Sequence, residues 1–225
     1  MQHRNTTVVT LLIVLILLLD QAVKFYIKTN FEYNEDLPIL GLNWARLHFV
    51  ENEGMAFGFT FDWPYGKLML SLFRIGMVLA LIVYLRLLIR DNFPLGLILS
   101  IGMITAGALG NIIDSAVYGM IFTESPYHGG VAELVAWGQG YGTFLHGKVV
   151  DMLYFPITWI SVPAWIPYLG GQEYLFFSPI FNVADAAITS GVIIILVFQQ
   201  RFFNMMQEAV ESPMTDTATQ QDATP

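Results

Sequence analysis

The 225-residue chain contains no cysteine, which removes disulfides, thiolate metal sites and cysteine nucleophiles together. Charge is scarce too: Asp, Glu, Lys and Arg make up 12% of the residues, about half the ~25% of a soluble domain. With only 10 Lys and Arg, no basic stripe exists for nucleic acid. No internal repeat is visible, and His3, His48, His128 and His146 lack metal-ligand spacing and read as surface residues. What replaces charge is apolar, since 55% of the chain is hydrophobic. One compact membrane domain fits that length. The net charge of −8 says little, because several acids lie in a polar tail and others among the candidate site residues.

Four apolar runs, about Thr7–Ile27, Leu68–Ile89, Leu95–Val117 and Ile180–Phe203, come near the ~20 residues that cross ~30 Å of hydrocarbon. The first follows Arg4 as a signal peptide's apolar region would. Asp20-Gln21-Ala22-Val23-Lys24 stands where a small-residue cleavage site belongs, so the run reads as a retained span. Only Arg90-Asp91-Asn92-Phe93-Pro94 joins the second and third runs. The other two connections are long and share the opposite face, and four spans put both termini on the face of the tight loop. Lys and Arg divide too evenly between the faces to orient the chain. The expected fold class is an α-helical membrane protein: four transmembrane helices within residues 1–203, with a small β-rich segment at about 30–66. There Trp44–Val50 partly alternates. A long interfacial segment at about 118–179, rich in Gly, Pro, Trp and Tyr, suits the headgroup layer. Residues 204–225, polar and aperiodic, read as a disordered tail.

Three of the apolar runs carry an aspartate: Asp20, Asp114 and Asp185. An ionisable group in hydrocarbon is costly unless paired, hydrated or neutralised, so its default reading is functional. At ~1.5 Å per residue, Asp114 lies at the far end of its span, Asp185 just inside the next, and Asp20 in the same half. All three converge on one leaflet. Asn111 with Asp114, and Asn182 with Asp185, stand at i,i+3, which predicts a shared helix face offering amide and carboxyl together. One such face could simply glue helices; two at matching depth favour a site. Asp20 and Lys24, at i,i+4, read as an intrahelical ion pair. Asp151, inside Gly147–Pro156, reads by itself as a solvated acid on an interfacial strand or helix. Asn52-Glu53-Gly54-Met55-Ala56-Phe57-Gly58 reads as a turn, whose Gly54 and Gly58 would let backbone N–H groups approach a ligand. Acids at this depth also serve proton- or cation-coupled carriers, although carriers place them at mid-membrane and show repeats. A third reading is a metal-dependent membrane enzyme, with carboxylates and Asn on Mg²⁺.

Taken in order, Asp20–Lys24, Asn52–Gly58, Gly107–Asp114, Val149–Met152 and Phe181–Asp185 resemble the motifs of lipoprotein signal peptidase (signal peptidase II), a family of aspartic intramembrane proteases. The resemblance implies an aspartic endopeptidase that removes the signal peptide from diacylglyceryl-modified prolipoproteins, cleaving before the lipidated Cys, with no cofactor and no metal. It implies Asp151 and Asp185 as the catalytic dyad, overruling the ranking of Asp114 above Asp151 that the residues alone would give. Asn52, Asn111, Asp114 and Asn182 then line the site and hold substrate or dyad, and Asp20 and Lys24 match the first-span motif. With Gly54 these form the site-organising set. A monomer among membrane lipids is expected, multi-pass in the bacterial cytoplasmic (inner) membrane, with termini and tail cytoplasmic and the active site near the outer (periplasmic) face. Two features depart from the family. Ser115 stands where Arg is usual, with Arg74 a candidate replacement. The stretches Tyr118–Gly147 and Pro156–Pro179 are longer than usual and look like insertions that cap the site or contact a partner.

Overall fold

The computed structural model describes residues 2–53, 66–168, 170–176 and 179–221. Among these, four helical segments are long and apolar enough to cross a membrane. They are α1 (Gln2–Asn30), α2 (Gly66–Arg90), α3 (Leu95–Ile113) and α5 (Val183–Gln221). The third continues through a π-helical turn at Asp114–Tyr118 into the short α4 (Gly119–Ile121). Strands β1 (Asp36–Pro38), β2 (Arg46–Asn52), β3 (Val149–Tyr154) and β6 (Ile180–Phe181) form one antiparallel sheet, in the order β1-β2-β3-β6. Strands β4 (Thr158–Ser161) and β5 (Glu173–Phe176), among the described residues, form a separate two-stranded antiparallel sheet.

Helix α3 is the central span, packed on α1, α2 and α5. Its buried face is built of small residues, among them Gly102, Thr105, Ala106, Gly107 and Gly110, which lets backbones approach where lipid offers no hydrophobic drive for association. At one end Val9, Leu85, Leu88, Ile98, Ile101 and Phe202 cluster, and Gln2 Nε2 donates to the Arg90 carbonyl at 2.7 Å. The start of α1 therefore lies beside the tight α2–α3 connection. At the opposite end Ile27, Phe31, Phe49, Tyr118, Phe122, Val150 and Met152 weld α1 and α3 to the sheet.

The sheet positions the site through β3. Side chains alternate along a strand, so Val150 and Met152 enter that apolar cluster while Asp151 points from the opposite face. Strand β2 shifts register between Leu47 and Val50, bringing Val50 opposite Asp151 and Asn52 opposite Val149. Such bulges re-aim side chains next to functional sites. Here the shift sets Asn52 diagonally across from Asp151, within reach of its carboxyl.

Two sequence expectations change. The last span begins at Val183, not Ile180, because Ile180 and Phe181 pair with Tyr154 and Leu153 as β6; Asp185 is thus the third residue of its helix. Residues 204–221, expected as disordered tail, continue α5. The missing periodicity that motivated that expectation reports on burial; Met205, Met206, Gln207 and Ala209 are all good helix formers. The stretch after α4 is held against the end of α3. Backbone N–H groups of Val135, Gly138, Gly142 and Gly147 donate to carbonyls of Ile121, Met120, Gly119 and Ser115 at 2.7–3.0 Å. Lys28, fully buried, pairs with Glu51 and donates to Ser125 Oγ at 3.0 Å, with its ammonium over the rings of Tyr141 and Phe122 at 5.2 and 5.5 Å. This segment closes the end of α3 and delivers the chain to β3.

Candidate active site

Two asparagines set the geometry. Asn182 immediately precedes α5, and its Oδ1 accepts the Asp185 backbone N–H at 2.9 Å while Asp185 Oδ2 accepts the Asn182 N–H at 3.4 Å. This reciprocal arrangement is a capping box. Because the cap commits Oδ1, the amide nitrogen must face outward from the helix, where it donates to Asp151 Oδ1 at 2.6 Å. Asn111, on α3, is fixed in the same manner. Its Oδ1 accepts Lys24 Nζ at 2.9 Å and Asn182 Nδ2 at 3.1 Å, so its nitrogen donates to Asp185 Oδ1 at 2.8 Å. The expected Asn–Asp pairing at i,i+3 is thus crossed: each amide donates to a carboxyl on another element, and Asn182 lies outside the helix whose face it was expected to share.

Asp151 is almost wholly buried, not solvated as its segment alone suggested. Its Oδ2 accepts the Asn52 amide and its Oδ1 that of Asn182. Burial, and then the neighbouring Asp185 carboxylate, push Asp151 from the usual carboxylate range up to about 7, against the Lys24 charge and the Asn182 donor, which lower it. Two close carboxyls cannot both ionise cheaply.

Asp114 is spent elsewhere. Its Oδ1 accepts Gln21 Nε2 at 3.0 Å, and its Oδ2 accepts Lys24 Nζ at 2.8 Å and the Val150 N–H at 3.2 Å. It pins the strand that carries Asp151. Asp20 Oδ2 takes Lys24 at 3.0 Å, and its Oδ1 accepts the Ala184 N–H at 2.8 Å, placing an acid on the first turn of α5, where the helix dipole favours one. Lys24 therefore exceeds the expected intrahelical pair: its three donors go to Asp20, Asp114 and Asn111, all it has. An ammonium, not a cation site, lies between these acids.

Glycine makes the convergence possible. A Cβ on Gly107 would come within 2.2 Å of the Ala184 carbonyl oxygen, and one on Gly110 within 2.6 Å of Asp20 Oδ2. Ser115 Oγ donates to the Asn111 carbonyl one turn back, at 3.1 Å, so it offers no cation. Arg74 on α2 lies within electrostatic reach of Asp185, Asp151 and Asp114. Gly54 lies outside the described residues. Two participants escaped the sequence analysis. Gln21 bonds Asp20, Asp114 and the Gly110 carbonyl, and the buried Tyr118 donates to Gln21 Oε1 at 3.2 Å. A polar Gln beside Asp20 inside an apolar run was the available signal for the first. Nothing in the sequence marked Tyr118.

The family pattern described as signal peptidase (SPase) II matches residues 12–201. The chain belongs to the signal peptidase II family. It is 42% identical over 201 residues to a lipoprotein signal peptidase of Porphyromonas gingivalis, covering 88% of this chain and 85% of that one. It is 33% identical to one from Amoebophilus asiaticus over 186 residues, covering 81% and 73%. Its fold resembles a solved bacterial membrane enzyme with a TM-score of 0.57 at 22% identity, over 87% of this chain and 88% of that one. The chain is accordingly a multi-pass membrane peptidase, and the carrier reading has no support.

Proposed function

We propose that this signal peptidase II is an aspartic endopeptidase whose Asp151 and Asp185 act as one dyad on diacylglyceryl-modified prolipoproteins, cutting before the lipidated Cys. The observation that carries the reading is Asn182, which binds Asp151 through its amide and Asp185 through its backbone N–H. That single residue holds the two acids in register. The other acids of the cluster have their oxygens engaged by Lys24, Gln21 and backbone N–H groups.

In the proposed reaction the dyad shares one proton. The ionised member takes a proton from water, whose oxygen attacks the scissile carbonyl carbon. The protonated member hydrogen-bonds the carbonyl oxygen and stabilises its developing charge. As the C–N bond breaks, a proton passes from the dyad to the leaving amine of the lipidated Cys. The raised value at Asp151 supports this residue as the resting holder of the proton, with Asp185, half-buried, activating water. Asn52, Asn111 and Asn182 orient the acids, Asp114 and Asp20 position the elements that carry them, and Arg74 supplies the cation that Ser115 does not. The enzyme works as a monomer in the bacterial cytoplasmic membrane, its site near the periplasmic face, with α-helical walls of the spans taking the acyl chains.

The test uses purified protein in detergent with a lipidated precursor peptide. Asp151→Asn and Asp185→Asn should each bind precursor and lose cleavage by about 10²–10⁴-fold, the range of a general acid or base. Robust turnover by either variant would sink the dyad. Chelator should leave the wild type active.

A further inference from the structure

The β4–β5 hairpin is the one sheet of the described fold that packs into no larger layer, since its strands pair only with each other. A lone two-stranded hairpin is marginal in water, and an antiparallel pair with one wet side should show a polar face. This one has none. Alternation places Trp159 and its cross-strand partner Leu175 on one side and Ile160 on the other. Trp159 is 64% exposed, and the connecting turn presents Trp165 and Tyr168 at 80% and 99%. Between Met152 and Gln200 the only charged residues are Glu173 and Asp185.

The stems of the hairpin fix its height. It leaves β3 just after Tyr154 and returns through β6, which pairs with Leu153 and Tyr154. Two residues later α5 begins at Val183, the start of a membrane-spanning segment. The base carries an aromatic row: Trp44 stacks near Phe155 at 6.3 Å, and Phe155 near Phe181 at 5.7 Å. The apolar hairpin is thus joined through β6 to the start of a membrane-spanning segment. Hydrocarbon would leave the outer backbone groups of its strands unsatisfied, whereas the headgroup layer hydrates them and is where Trp and Tyr concentrate.

We propose that the β4–β5 hairpin is a lipid-anchoring arm, lying in the headgroup layer of the site-side leaflet with Trp159, Ile160, Trp165 and Tyr168 seated among phospholipids. Lacking Lys and Arg, the arm is held by apolar and aromatic contact, independently of anionic lipid. Since β3 runs directly into it, the arm fixes the height of Asp151 against the leaflet. The anchoring does not depend on the dyad assignment, and its test reads no catalysis.

The full chain in lipid nanodiscs supplies that test. Single-tryptophan forms retaining only Trp159 or only Trp165, the others replaced by Phe, are compared in phosphatidylcholine and in phosphatidylcholine brominated high on the acyl chain. Both forms should lose emission in the brominated discs and be shielded from aqueous iodide. The loss should persist when phosphatidylglycerol replaces part of the lipid. The wild type and the double variant Trp159→Ser/Trp165→Ser give the same comparison by difference if a single-tryptophan form fails to fold. Emission untouched by bromine and quenched by iodide would place the arm in water and overturn the proposal. Emission indifferent to both quenchers, with hairpin-to-hairpin cross-links between copies, would make it a copy–copy interface and overturn it equally.

Discussion

At the scale of single residues, the site depends on which atoms are already committed. Asn182 gives its oxygen to the α5 cap and its nitrogen to Asp151. Asn182→Ala should remove about 1 kcal/mol of capping and a donor that lowers Asp151. Cleavage should slow, and its alkaline limb should move to higher pH. In the wild type that limb should fall near pH 7, where Asp151 gives up its proton, as an apparent value belonging to the pair. The same group affects stability. The folded state holds the Asp151 proton from the ordinary value of 3.8 up to about 7, whereas the unfolded chain releases it first. This contribution to stability is therefore lost as pH rises across that window. Thermal unfolding of Asp151→Asn in detergent should show a shallower decline over that range than the wild type. An equal slope would mean that Asp151 titrates normally. Lys24→Met should be the most destabilising of these changes, by about 3–5 kcal/mol, because it strands partners of a buried ion cluster.

Between elements, the decisive contact is the first turn of α5 against α3. Gly107→Ala would drive a Cβ into the Ala184 carbonyl, a backbone atom that cannot rotate away. Overpacking of this kind costs typically ~1–3 kcal/mol, and the displaced turn carries Asp185. Activity should therefore fall further than the loss of folded protein explains, measured as kcat per folded molecule. An unchanged kcat per folded molecule would show that α5 can move without the site. The stretch after α4 was read from sequence as an insertion. Its interior is packed, with Phe122 and Ser125 buried and Gly147 bonded to Ser115. Cutting out 122–146 should leave Lys28 and Glu51 without their cover and release the N-terminal end of β3. Loss of cleavage even on a minimal lipidated peptide is expected, with a lowered Tm; full activity would return the segment to the status of a tolerated loop.

Over the whole molecule, the start of α1 and the α2–α3 connection meet at one end, and the carboxylates lie at the other. The absence of native cysteine makes any introduced thiol a unique reporter of sidedness. Asp91→Cys and His128→Cys, both at exposed positions, should react with an impermeant maleimide from opposite sides of the membrane, the latter from the periplasmic side. Labelling of both from the same side would contradict the four-span topology.

Hydropathy alone determined the membrane class, the four spans and their shared leaflet of acids, because span length and the cost of buried charge are properties of the local chain. The ordered motifs brought the family within reach as well. Tertiary structure decided the rest. Whether Asp151 was buried depended on β2 and on the cap that precedes α5, whose Asn52 and Asn182 lie 99 and 31 residues away. That Asp114 pins β3 depended on Lys24 and on the Val150 N–H, 36 residues onward. The crossing of the two asparagines followed from one helix starting three residues later than hydropathy placed it. Periodicity reports which side of its own element a residue occupies; whether an acid meets the Lys24 ammonium or only amide donors is settled by what other elements bring.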